Sequence, residues 1–133
     1  MSKIAVLLIS KQVIMNLLFV RHFKNKGINF DSYIFITTEQ MEENGVSGNL
    51  ESVLDKNTLV KRVKVNQDKF DDIIKNIKDS FENYINNNDE LYVNLTCGNK
   101  LMSLGVYALL QKYDQSYFYY MPINQNKIEK LSS

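Results

Sequence analysis

The sequence predicts an α/β fold in which a mostly parallel sheet carries helices on both faces. Three observations point there. Short apolar runs alternate, along the whole chain, with segments whose apolar residues recur at helical spacing. The runs at residues 4–9, 33–36 and 91–95 are apolar on almost every residue, as strands covered on both faces are. With 133 residues, 44% hydrophobic and 23% charged, the chain has the size and composition of one domain with one useful core. A single domain over residues 1–133 is expected.

The first strand is Ile4-Ala5-Val6-Leu7-Leu8-Ile9. Residues 12–24 then carry Val13, Ile14, Leu17, Leu18 and Val20 at helical spacing, and Gly27 is placed to close that helix. Residues 33–36 form a second central strand. Thr37 and Gln40 have capping-box spacing, and Gly45 and Gly48 interrupt the stretch after them. The expectation is a short helix, a turn, and another helical turn or two near residues 49–56. Residues 59–65 mix Val60, Val63 and Val65 with Lys61, Arg62 and Lys64, a pattern suited to a sheet edge. Residues 67–86 make the clearest helix, with Phe70, Ile73, Ile74, Ile77, Phe81, Tyr84 and Ile85 on one stripe. The Asn86-Asn87-Asn88-Asp89 turn leads to the strand at 91–95. A loop at 96–100, an apolar helix at 101–110 and a strand at 117–121 come next. Asn124-Gln125-Asn126 turns the chain into a short last strand at 128–131. With right-handed crossovers this alternation predicts a Rossmann-like sheet of order 3-2-1-4-5 plus the short C-terminal strand.

Composition removes several functions. Sixteen Lys and Arg against fifteen Asp and Glu leave a net charge of +1, which argues against direct DNA binding through a strongly basic surface. One cysteine excludes an internal disulfide and a cysteine-cluster zinc site, and one histidine excludes a His-rich metal site. No metal and no cofactor is expected. No apolar run reaches membrane-spanning length, so no membrane contact and a reducing, cytoplasmic setting are expected.

In the predicted order the sheet reverses between its first and fourth strands, and ligands bind beyond the carboxyl ends of strands at such a point. The loops there are Ser10-Lys11-Gln12 and Thr96-Cys97-Gly98-Asn99-Lys100. Each precedes a helix N-terminus, where backbone N–H groups and the helix dipole attract phosphate. Gly98 permits close backbone approach, Lys100 adds positive charge, and Ser10, Gln12, Thr96 and Asn99 supply hydrogen bonds. The chain lacks Gly-x-Gly-x-x-Gly, a P-loop, a phosphoreceiver acid cluster and Gly-x-Ser-x-Gly.

At these loops the chain resembles a CRISPR-associated Rossmann fold (CARF) domain, and most nearly the sensor half of the CARF–nuclease effectors. Four segments carry the resemblance in the right order. They are Leu8-Ile9-Ser10-Lys11-Gln12-Val13-Ile14-Met15-Asn16; Phe35-Ile36-Thr37-Thr38-Glu39-Gln40-Met41-Glu42; Val93-Asn94-Leu95-Thr96-Cys97-Gly98-Asn99-Lys100-Leu101-Met102-Ser103-Leu104; and Phe118-Tyr119-Tyr120-Met121-Pro122-Ile123. The third is the most specific, since the family reads Asn-hydrophobic-Thr-Gly-Gly-Thr/Asn-Lys-hydrophobic-Met-Ser. Cys97 replaces the first glycine of that pair, and Met15 stands where the family often has proline.

The resemblance implies a homodimer that binds a cyclic oligoadenylate, cyclic tetra-adenylate first, in type III CRISPR signalling. It implies ligand contacts at Ser10, Lys11, Gln12, Thr96, Cys97, Gly98, Asn99 and Lys100, with Thr37, Thr38 and Met41 in the next loop. Other CARF proteins are metal-independent ring nucleases, in which a ribose 2′-hydroxyl attacks its neighbouring phosphate. On that alternative Lys11 and Lys100 stabilise the developing charge, and Ser10 or Thr96 orients the ribose.

Plainer readings stand beside these. Taken alone, residues 96–100 read as a well-capped turn, Ser10 as an N-cap, and Thr37 as a helix cap. Cys97 without a histidine nearby reads as a small filler rather than a nucleophile. His22 reads as a partly exposed polar residue, and Asp71-Asp72 as part of a solvated helix face. Tyr117, Tyr119 and Tyr120 read as strand and core packing. No nuclease carboxylate-and-lysine signature is present.

Overall fold

The structure is a computed structural model and describes residues 2–55, 58–66, 68–122 and 128–132. Its elements run β1 (Lys3–Leu8), α1 (Val13–Asn25), β2 (Ser32–Thr37), α2 (Glu39–Glu43), α3 (Val46–Ser52), β3 (Leu59–Lys64), α4 (Phe70–Tyr84), β4 (Glu90–Asn94), α5 (Lys100–Leu110), β5 (Ser116–Tyr120) and β6 (Glu129–Ser132). They build one six-stranded sheet of order β3-β2-β1-β4-β5-β6. β1 to β5 are parallel and β6 is antiparallel to β5. This is the Rossmann-like order expected, with the C-terminal strand added at the edge. The turn expected at Asn124-Gln125-Asn126, Ile123 beside it, Gln67 and residue 56 lie outside the described residues.

Strand periodicity divides the core into two layers. Ile4, Val6 and Leu8 of β1 join Ile34, Ile36, Leu91, Val93 and Phe118 under α4 and α5. Ala5, Leu7 and Ile9 join Tyr33, Phe35 and Tyr92 under α1, with Leu50 of α3. Both faces of β1 are therefore buried, which is why its sequence is apolar without alternation. β3 buries only Val63 fully among its six residues, as a charged edge strand should. The second layer is strongly aromatic. Phe23 meets Phe19, Tyr92 and Tyr119 edge-on with ring centroids 4.9–5.1 Å apart. Tyr119 is thus a packing residue.

Three boundaries differ from expectation, each for a local reason. α3 starts at Val46, earlier than residue 49, because Gly45 adopts φ +73° and turns the chain directly into a new helix. α4 starts at Phe70 because the Asp72 carboxylate accepts the Asn66 N–H at 2.8 Å, and Asn66 Oδ1 accepts the Asp68 N–H at 3.1 Å. Those bonds hold Asn66 and Asp68 outside the helix. At α2 the cap is Thr38, whose Oγ1 accepts the Met41 N–H at 3.3 Å, and not Thr37. The Thr37 hydroxyl instead donates to Glu42 Oε2 at 3.1 Å. At the other end of α1 the expectation holds: Gly27, at φ +84°, comes just after the last turn.

Burial leaves a pH signature. Burial, reinforced by Asp55, pushes the Tyr33 hydroxyl up to about 12, and burial, reinforced by Glu90, does the same for Tyr92. The unfolded chain ionises these groups near pH 10. Their contribution is therefore fully present below pH 10 and is lost as the pH rises toward 12. In an ultraviolet titration of the eight tyrosines, a late fraction is expected to ionise only as the circular dichroism of the fold is lost. Complete ionisation with the fold intact would contradict this packing.

Candidate functional site

The reversal of strand order falls between β1 and β4, where Leu7 pairs with Asn94. Chain leaves β1 through Ile9, Ser10, Lys11 and Gln12 into α1. It leaves β4 through residues 95–99 into α5. The two helices lie on opposite faces: Phe19 and Phe23 of α1 pack in one core layer, Met102, Val106 and Leu110 of α5 in the other. Their N-termini therefore converge on one spot at the sheet's carboxyl edge.

Each loop is held by its own bonds. Ser10 Oγ accepts the Gln12 N–H at 3.3 Å. Gln12 occupies the N-cap position of α1 without a side-chain cap bond, so Ser10 shapes the turn and does not cap the helix. In the second loop the Thr96 N–H donates to Asn94 Oδ1 at 3.0 Å, and Thr96 Oγ1 accepts the Met121 N–H at 2.9 Å. The second bond ties the loop to the end of β5. Gly98 takes φ +81°, and a side chain there would meet Leu8 Cδ2 at 3.0 Å. Asn99 caps α5, its Oδ1 accepting the Met102 N–H at 2.9 Å.

Cys97 joins the loops. Its Sγ lies 4.0 Å from the Gln12 carbonyl oxygen. Burial pushes the thiol up, with the Ser10 hydroxyl opposing more weakly, so it stays protonated at neutral pH. That suits the filler reading. A disulfide reagent is expected to label Cys97 slowly in the folded chain and rapidly in urea. Equal rates would place the thiol outside this packing.

Electrostatics favours an anion at this spot. Lys11 and Lys100 are exposed at the two loops. Neither α1 nor α5 has an acidic residue in its first turn, whereas α2 carries Glu39 and Glu42 and α4 carries Asp71 and Asp72. The dipoles of α1 and α5 are thus not offset by neighbouring carboxylates. Ser10, Lys11, Gln12, Thr96, Cys97, Gly98, Asn99 and Lys100 come together here. Thr37, Thr38 and Met41 lie one strand over, at the end of β2, and are buried, with Thr38 and Thr37 engaged as described and Met41 packed in the core. His22 is remote from the site. Burial, then Lys26, lowers its pKa, and its ring sits edge-on to Phe23 at 5.0 Å. Among the described residues no three His, Cys, Asp or Glu side chains gather as metal ligands, and no helix is long and apolar enough to cross a membrane.

Two residues at the junction escaped sequence reasoning as site residues: Asn16, 1% exposed, and Asn94, fully buried. The available signal was an asparagine inside each of two otherwise apolar patterns.

Residues 4–133 match the sequence model of the Card1 CARF domain. The chain is a member of the Card1 CARF family. The fold of this CARF domain is shared with larger proteins of known structure. Protein VC1899 from Vibrio cholerae is 17% identical, with a TM-score of 0.74 over 97% of this chain and 33% of that one. Csm6 from Enterococcus italicus, bound to cyclic hexa-2′-fluoro-hexa-dAMP, is 14% identical, with a TM-score of 0.68 over 100% of this chain and 42% of that one. Can2 from Sulfobacillus thermosulfidooxidans, in complex with cyclic tetra-adenylate, is 17% identical, with a TM-score of 0.63 over 98% of this chain and 37% of that one. The CARF domain thus spans less than half the length of each. No curated protein matches it by sequence.

Proposed function

We propose that this CARF domain binds a cyclic oligoadenylate, cyclic tetra-adenylate first, as a homodimer in the cytoplasm, and acts as the sensor or sequestering module of type III CRISPR signalling. The observation that carries this reading is the convergence of two acid-free helix N-termini, each with an exposed lysine, at the switch point of a CARF fold. Ring phosphates would lie on the N–H groups opening α1 and α5, with Lys11 and Lys100 alongside. Ser10, Gln12, Thr96 and Asn99 supply polar contacts, and the end of β2 with Thr37, Thr38 and Met41 forms a flanking wall. A two-fold dimer apposes two copies of each loop and matches a ring of even symmetry. Cyclic oligoadenylates occupy two of the neighbouring structures, one of four units and one an analogue of six. No DNA contact is required by this reading.

The test is calorimetric titration of the chain with cyclic tetra-adenylate, then chromatography of the recovered ligand. One intact ring per two chains is the expected result. Linear products would make the protein a ring nuclease. No heat and no cleavage, repeated with the six-membered ring, would sink the reading. Lys100→Ala is expected to weaken binding about tenfold or more, through loss of one charge-assisted phosphate contact. The loss should shrink as salt is raised. Unchanged affinity would mean the ring sits elsewhere.

A further inference from the structure

Neither the loops nor the apolar core accounts for Asn16 and Asn94. Both amides are buried, in an environment where an unpaired polar group is costly. What they bond to is therefore informative. Asn16 Nδ2 donates to the Leu8 carbonyl at 3.0 Å, Asn94 Nδ2 donates to Asn16 Oδ1 at 3.0 Å, and Asn94 Oδ1 accepts the Thr96 N–H at 3.0 Å. These three bonds run from the last residue of β1, through the first turns of α1, to the end of β4 and on to the 96–100 loop. Each joins two supports of the candidate site.

Resting on the oligoadenylate reading, we infer that Asn16 and Asn94 form a positioning lock that fixes the Thr96–Gly98 turn against the Ser10–Gln12 turn. Burial keeps both side chains away from a ligand, so they act through the loops. An apolar residue at either place would serve the core as well. It would leave the Leu8 carbonyl or the Thr96 N–H without its amide partner, and would remove the side-chain link between the two loops. The Cys97 contact to Gln12 is long and weak by comparison. A site whose halves are held in register binds without first having to assemble, and affinity falls in proportion to the assembled fraction.

The test combines residue-resolved amide hydrogen exchange on the ligand-free chain with titration of cyclic tetra-adenylate. In the wild-type protein the Thr96 amide is expected to exchange as slowly as the adjoining strand, although it belongs to a half-buried loop. Exchange at an unprotected loop rate overturns the lock without any variant. Asn16→Ala leaves both atoms of the Thr96–Asn94 bond in place, yet should speed Thr96 exchange about tenfold or more with β2 and β3 unchanged. Asn94→Ala should do the same, and the double variant should add little, because the two act as a unit. Each single variant should raise Kd about tenfold or more. Unchanged Thr96 exchange in Asn16→Ala, or equal acceleration across the whole sheet, overturns the inference. If Asn94→Ala does not fold, the wild-type and Asn16→Ala arms still decide. If the wild-type chain binds no ring, the ligand reading fails while the exchange data judge the lock separately.

Discussion

Replacing Gly98 with alanine or valine is expected to destabilise the chain and to remove ligand binding at the switch point. Two costs combine. At φ +81° any residue with a Cβ is strained, by about 1–2 kcal/mol. The new Cβ would also lie 3.0 Å from Leu8 Cδ2, 3.2 Å from Leu8 Cβ and 3.4 Å from Met102 Cε. Leu8 is fully buried and Met102 nearly so, so neither can move aside freely, and overpacking adds about 1–3 kcal/mol. The sum for alanine is on the order of 3 kcal/mol, a large part of a small domain's stability, and valine should cost more because it is stiff at χ1. Gly27 supplies the control. It has φ +84° with nothing within 4 Å of its absent Cβ, so Gly27→Ala should carry the backbone cost alone. Urea titrations of both variants separate the terms. If Gly98→Ala costs no more than Gly27→Ala, the loop is not seated on Leu8 as described. Any shift that relieves the clash must move the turn carrying Thr96, Cys97 and Asn99, so ring affinity should fall even where the variant folds.

How far this was legible in the sequence depends on the kind of information each feature needs. Strands buried on both faces announce themselves, because residues 4–9 and 33–36 have no polar member other than the Tyr33 hydroxyl. Their order comes from alternation and handedness, and that order alone identifies the loops that meet. What escapes are choices between neighbouring residues of similar chemistry. Thr37 and Thr38 are equally good caps on paper. The sheet decides, since Thr37 is the last residue of β2 and only Thr38 stands free of it to accept the Met41 N–H. The start of α3 turns on Gly45 entering the left-handed region, which a string of letters does not state. Asn16 and Asn94 are far apart in sequence, and each looks like an ordinary polar interruption. Only the register that places Leu7 beside Asn94, with α1 packed over β1, makes them partners.

Gly105 carries the last prediction, because ordinary helix propensity gives the opposite sign. A glycine in a helix interior costs about 0.5–1 kcal/mol relative to alanine, so Gly105→Ala in α5 should stabilise if nothing stood in the way. Something does. The added Cβ would lie 2.8 Å from Ile73 Cγ2 on α4 and 3.6 Å from Ile74 Cδ1. Gly105 and Ile73 are both buried, and the missing side chain is what lets the two helices approach over the sheet. Ile73 is β-branched, and its Cγ2 methyl is held by the helix backbone, so it cannot rotate clear cheaply. Overpacking of about 1–3 kcal/mol exceeds the propensity gain, and Gly105→Ala should be destabilising, with Gly105→Val worse. Compensation tests the cause. Ile73→Leu removes the β-branch while keeping the volume, so it should recover part of the loss in the double variant although it is no gain alone. Measured by urea denaturation, strictly additive effects would show that the clash does not set the cost. A stabilised Gly105→Ala would show that α4 and α5 stand further apart than 2.8 Å from Cβ to methyl implies. Because α5 opens at Lys100, this contact also sets how the site's second helix is seated. A folded Gly105→Ala variant should therefore bind the ring more weakly even though the substitution lies more than a turn from the loop.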